Sequence, residues 1–221
     1  MTFAVKSDWL TPAGLVALSV VPVAAGTTRL VQLASGAQIT PDDARFFAAP
    51  MPVVLHIVTA TIFCVVGALQ FAPGLRRRKP SLHRVMGRGL IPCGLAAALS
   101  GLWLTQFYPV GVHPPASFDG PFVYALRLLA GSAMVLFLCL GLASIFRRDI
   151  RRHRVWMMRG FALGLGAGTQ AFTHLPWFLM SSIQGELART ISMGAGWAIN
   201  LAVVEWLIAR ASPVDAPVGR A

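Results

Sequence analysis

The chain has 221 residues, of which 56% are apolar and only 12% charged, and its mean hydropathy is +0.66. Soluble domains carry about a quarter charged residues, so this composition describes a membrane protein and leaves no soluble domain to assign. Lys and Arg number 19 against 8 Asp and Glu, but they gather in short blocks between apolar runs, which points to a membrane surface and away from nucleic acid.

A crossing helix needs about 20 mostly apolar residues. Six such runs lie in one all-α transmembrane domain over residues 1–221, at about 10–34, 51–72, 85–105, 122–146, 155–180 and 189–209. The first run, "LTPAGLVALSVVPVAAG", has small residues at Val23-Ala24-Ala25 where a leader could be cut. It reads as a retained helix, because its flank holds one Lys6 beside Asp8 and many apolar segments follow. Arg29 lies near its far end, and a loop with Arg45 follows in which Asp42 and Asp43 read as solvated residues. The second run carries His56, and Arg76, Arg77, Arg78, Lys79, Arg84 and Arg88 come after it. The third ends in Trp103, Phe107 and Tyr108, an interfacial aromatic belt. "VGVHPPASFDG" then has no Lys or Arg, with His113 as a plain loop residue, and Arg127 opens the fourth run. Arg147, Arg148, Arg151, Arg152, Arg154 and Arg159 precede or enter the fifth, which ends near His174; Glu186 precedes the sixth, which holds Glu205. By the positive-inside rule both arginine-rich loops, and with them both termini, are cytoplasmic. Pro22, Pro92 and Pro176 are weak signs of helix breaks, and Cys64, Cys93 and Cys139 read as small buried hydrophobes.

"LHRVMGRG" at 82–89 returns as "RHRVWMMRG" at 152–160, and an offset of 70 carries His83 onto His153. Applied to runs two and three, that offset lands on runs four and five with the same direction, the pattern of two parallel helical hairpins. The arginines of the motif, Arg84, Arg88, Arg154 and Arg159, suit lipid head groups or a partner subunit. Glu205 is expected to pair with Arg88 or Arg159, since an unpaired carboxylate there is costly.

Ionisable groups inside spans are default functional candidates. His56, His174, Arg29 and Arg127 fall in one outer layer, and His83 with His153 forms an inner pair. Two imidazoles on facing helices suit a bis-histidine haem b, with arginines at the propionates; alternatively the histidines only hydrogen-bond within the bundle. Gly160, Gly164 and Gly168 share one helix face, which admits either a neighbouring helix or a flat macrocycle. Gln170, one turn from His174, is placed to orient it. No catalytic or phosphate-loop motif is present.

The chain resembles a family of bacterial multi-pass membrane proteins known as domain of unknown function 2306. The resemblance rests on "LHIVTATIFCVVGALQF" (His56, Gly67, Gln70, Phe71), "HRVMGR" (His83, Arg84, Gly87, Arg88) and "HRVWMMR" (His153, Arg154, Trp156, Met157, Arg159), and spans roughly 50–175. It implies the membrane fold and the inner (plasma) membrane of a bacterium, and assigns no activity. A weaker similarity is to six-helix, two-haem cytochromes b. The fourth run departs from that pattern, having Arg127 about where the offset places a counterpart of His56 and no histidine, which leaves one haem at most, on His56 and His174 or on His83 and His153. Two functions follow as expectations. One is electron transfer through haem b to or from a quinone or redox partner. The other is a non-enzymatic small transporter or assembly factor whose His-Arg motifs bind lipid or a partner.

Overall fold

The computed structural model describes residues 3–36, 38–40, 43–108 and 119–211, with side chains from Trp9 onward. His113 and Asp42 therefore lie outside the described residues. Along the chain come α1 (Phe3–Ser35), the short α2 (Ala44–Ala48), α3 (Pro50–Ala68) with a 3-10 turn at Leu69–Phe71, the short α4 (Pro73–Arg78), α5 (Pro80–Phe107) and α6 (Pro121–Phe146). They are followed by α7 (Ile150–Gly164), α8 (Gly166–Thr173), α9 (Leu175–Leu179) and α10 (Glu186–Ala211). Prolines in the first turn of α3, α4, α5 and α6 start these helices where a missing N–H costs nothing. The protein is an all-α polytopic membrane protein. Its exposed surface is rich in Leu55, Leu99, Leu129, Leu136, Val203 and similar side chains, the contact layer that lipid requires.

Five helices are long and apolar enough to cross a membrane: Trp9–Ser35, Pro50–Phe71, Pro80–Phe107, Pro121–Phe146 and Glu186–Ala211. The run expected at 155–180 is not a single helix. It breaks at Leu165 and again at His174. The first break falls in "GLGAG", where glycine gives up about 1 kcal/mol of helix propensity per residue relative to alanine. The second precedes Pro176, which has no N–H to donate and crowds the carbonyl four residues back. Pro12, Pro22 and Pro92, by contrast, lie inside uninterrupted helices.

α1, α3, α5, α6, α10 and α8 pack in that order into a closed ring. α3 with α5 and α6 with α7 form two successive antiparallel hairpins, joined where α5 lies on α6. At the arginine-rich end α7 enters the middle of the ring, where Phe161 meets Phe63 at 5.6 Å and Phe71 at 4.8 Å between ring centroids. Leu138, Met134 and Leu163 complete this core. The glycine row serves this helix packing: a Cβ on Gly160 would meet Leu138 at 2.9 Å, one on Gly164 would meet Phe63 at 2.7 Å, and one on Gly168 would collide with the Leu18 carbonyl. Cys139 faces outward instead of inward, and all three cysteines are unpaired.

Candidate functional site

The break in the fifth segment is a built feature. Three consecutive carbonyls beside it accept hydrogen bonds from side chains of other helices: Ala162 from Asn200 Nδ2 at 3.0 Å, Leu163 from Trp197 Nε1 at 3.1 Å, and Gly164 from Cys64 Sγ at 3.4 Å. Asn200 also accepts from Thr169 Oγ1 at 2.7 Å, so it clamps both sides of the break. Backbone freed from a helix inside a membrane has to be satisfied in this way. Past the break, α8 packs against α1 and α10. The centre of the ring, filled by α7 at one end, is left open at the other.

That opening is a cavity of about 570 Å³. Phe63, Cys64, Met134 and Leu163 line it deep in the bundle, and Gly164, Leu165 and Gly168 of the broken segment form part of its wall. Its mouth carries Arg45, Arg127, Arg189 and Asp119. Beside Asp119 the Glu186 carboxylate lies against Gly120 of the rim, so three arginines outnumber two described carboxylates at a mouth that is strongly charged above an apolar interior.

Asp119 organises the mouth. Its carboxylate accepts from Arg189 Nε at 2.5 Å and pairs with Arg127 Nη1 at 2.8 Å, while its own side chain is only 8% exposed. Burial pushes the Asp119 carboxyl up, but the two guanidiniums outweigh that and hold it below the usual carboxylate range. α6 and α10 are thereby joined at the mouth, and Glu186 adds a second link by accepting from the Phe122 N–H at 3.0 Å. Across the mouth, the Tyr108 hydroxyl donates to the Ala49 carbonyl and fastens the end of α5 to the start of α3.

The expected outer layer is brought together only in part. His56 and Arg127 line the cavity, as does Gln170. His56 Nδ1 donates to the Ala97 carbonyl at 2.9 Å and lies 3.3 Å from Ser100 Oγ; a carbonyl can only accept, so the neutral ring keeps its lone pair on Nε2. Arg29 is bound elsewhere, to Asp43 at 2.6 Å with its guanidinium 4.5 Å from the Phe46 ring centroid. Asp43, expected as a solvated loop residue, is thus an ion-pair partner, and its Thr40 and Arg29 contacts hold its carboxyl low. His174 is buried but is not among the residues lining the cavity. Its Nδ1 donates to the Gln170 backbone carbonyl at 2.9 Å, whereas the Gln170 side chain donates to Met193 O at 3.0 Å. Gln170 therefore positions His174 through its main chain, as the residue one helical turn earlier.

At the arginine-rich end the two motif copies play different parts. His153 Nδ1 donates to the Gly141 carbonyl at 2.8 Å and ties α7 to α6. His83 has no such bond: its Nδ1, like Gln70 Nε2, is buried with no hydrogen-bond partner among the described residues. Arg84, Arg88 and Arg154 are exposed. Glu205 takes Arg159, with Nε and Nη2 at 2.6 and 2.8 Å from its two oxygens, a bidentate pair. No group of three or more His, Cys, Asp or Glu suited to a metal ion occurs among the described residues. Sequence reasoning missed Asp119, Arg189 and the Trp197–Asn200 clamp. The weak helix propensity of "GLGAG" was the available signal for the last.

No curated protein and no solved structure matches the chain. One family does, described as "Predicted membrane protein (DUF2306)", over residues 53–208, a stretch that takes in most of α3 through nearly all of α10 and so every wall of the cavity except the parts from α1 and α2. With well over half of its 221 residues matched, the chain belongs to that family of multi-pass membrane proteins.

Proposed function

We propose that this protein binds, within the membrane, an apolar molecule with an anionic head, taken in through the cationic mouth. The observation that carries this reading is the broken fifth segment, whose break lines a cavity that is apolar in its depth and basic at its rim. Discontinuous helices at the middle of a membrane commonly mark the binding sites of small transporters. The two arginine-rich turns favour an orientation with the mouth on the outer face and both chain ends in the cytoplasm of a bacterial cell.

Haem b is one molecule of this description, an apolar disc with a carboxylate edge, and one observation favours it: His56 holds Nδ1 on a carbonyl and keeps Nε2 for a ligand, the arrangement of an axial histidine. On that reading His56 would hold the haem iron, Arg127 and Arg189 would face the propionates, and the group would supply one-electron chemistry toward a quinone.

Purification in mild detergent from cells supplied with haem precursor, followed by an absorption spectrum and mass spectrometry of an organic extract, tests both readings. An apolar anion at about one per chain, lost from a folded Ala60→Trp variant that fills the cavity, supports the general reading. A haem b band abolished by His56→Ala makes that anion haem. Folded protein that carries neither, or an Ala60→Trp variant that keeps its ligand, overturns the assignment of the cavity.

A further inference from the structure

Below its rim the cavity wall is mostly apolar, and most of the polar side chains set into it have already committed their hydrogens. Ser19, Thr105 and Trp197 donate to the Leu15, Gly101 and Leu163 carbonyls at 2.9, 2.8 and 3.1 Å, and the Cys64 thiol donates to Gly164. Each of these side chains has a single hydrogen to give, so none of them can donate to a bound molecule. Thr61, whose hydroxyl makes no bond among the described residues, and Gln170, with a second amide hydrogen beside the one given to Met193, are the exceptions.

His56 is fixed as an acceptor. Its Nδ1 has the Ala97 carbonyl at 2.9 Å and Ser100 Oγ at 3.3 Å, and the Ser100 hydroxyl has the Ala96 carbonyl at 2.6 Å for its own hydrogen. Two acceptors against one nitrogen place the proton there, and a second proton on the ring would leave a charge within the span, which is costly. The lone pair on Nε2 receives no bond from any described residue, although His56 lines the cavity. The ring is seated close against α5: a Cβ on Gly101 would meet His56 Cε1 at 3.1 Å and Nδ1 at 3.4 Å. Gly101 lies about two helical turns, or about 10 Å, below Tyr108 at the rim.

We infer that the amphiphile taken into this cavity carries a hydroxyl on its apolar part, about 10 Å from its anionic head, and that His56 Nε2 accepts the hydrogen of that hydroxyl. The inference rests on the reading of the cavity given above and narrows its ligand to a hydroxylated acid. A hydroxyl buried among apolar side chains without a partner binds worse than the hydrocarbon it replaces, so an apolar cavity alone would reject it. The histidine lone pair reverses that sign, and a plain hydrocarbon chain would leave the same lone pair buried with no donor. An iron would use this lone pair too, so haem and a hydroxylated acid exclude one another at His56.

The test is native mass spectrometry of detergent-purified protein offered equal amounts of stearate and one of two derivatives, 10-hydroxystearate or 10-methoxystearate. The hydroxy acid is expected to be retained about five-fold better than stearate. The methoxy acid, which has the oxygen without the hydrogen, is expected to be retained no better than stearate. In His56→Phe, which fills similar space without a lone pair, the ratio is expected to reverse in favour of stearate. A hydroxy acid retained no better than stearate, a methoxy acid retained as well as the hydroxy acid through Thr61 or Gln170, or an unchanged ratio in His56→Phe overturns the inference; stearate that still binds, and is lost in Ala60→Trp, then leaves the general reading of the cavity standing. Haem b held through His56 overturns the inference in the same way. Folded protein that retains none of the three acids and no haem removes the reading and the inference together. If His56→Phe does not fold, the ratio of hydroxy to methoxy acid on the unaltered protein decides alone.

Discussion

A carboxylate held by two guanidiniums with little water around it is stable only while it is charged. Asp119 is such a group, and its lowered pKa fixes the sign of its pH dependence. The stabilisation is present in full above the unfolded carboxylate value, about 3.9, and is lost as pH falls through the folded value below it. Thermal unfolding in detergent should be level from pH 7 to about 5 and decline below about 4. Asp119→Asn should remove roughly 3 kcal/mol at neutral pH, because it strands Arg127 and Arg189 beside an uncharged group, and should flatten the acid decline. An unchanged acid limb in the variant would show that other carboxylates dominate.

Among the elements, the contact of α8 with α1 depends on an absent side chain. A Cβ on Gly168 would collide with the Leu18 backbone, which cannot rotate away, whereas one on Gly89 in α5 meets nothing within 4 Å. Gly168→Ala should therefore separate α8 from α1 and destabilise by about 1–3 kcal/mol. Gly89→Ala should stabilise by up to about 1 kcal/mol through helix propensity. A pair of unfolding curves distinguishes local crowding from a general dislike of alanine. The five unbroken crossings were legible in the sequence because 20 apolar residues in a row permit little else, and their ends fall within a few residues of the helices seen. The Glu205 pairing was legible to within two arginines, since a membrane carboxylate demands a countercharge. The cavity was not legible: a hydropathy pattern places residues by depth, but which helix leaves the axis of a bundle depends on the clamps from Cys64, Trp197 and Asn200, three residues whose side chains look like ordinary span filler. His174 shared the right depth and helix face with the glycine row, and the break at Leu165 shifted α8 after that face had been projected.

For the whole molecule, the broken segment bears on how the chain enters the membrane. α7 begins with a run of arginines and α8 with a run of glycines, and neither is a good membrane entrant alone. A chain ending after Ile183, fused to a reporter active only outside the cytoplasm, should leave much of the reporter inside. Placing α10 between segment and reporter, with a compensating crossing, should carry the segment across. Efficient export from the shorter fusion would show that the segment inserts unaided. Two of the three side chains that satisfy the open backbone, Trp197 and Asn200, are supplied by α10. The break therefore stays unfinished until α10 arrives, and the site that shapes the cavity cannot be completed by the segments before it.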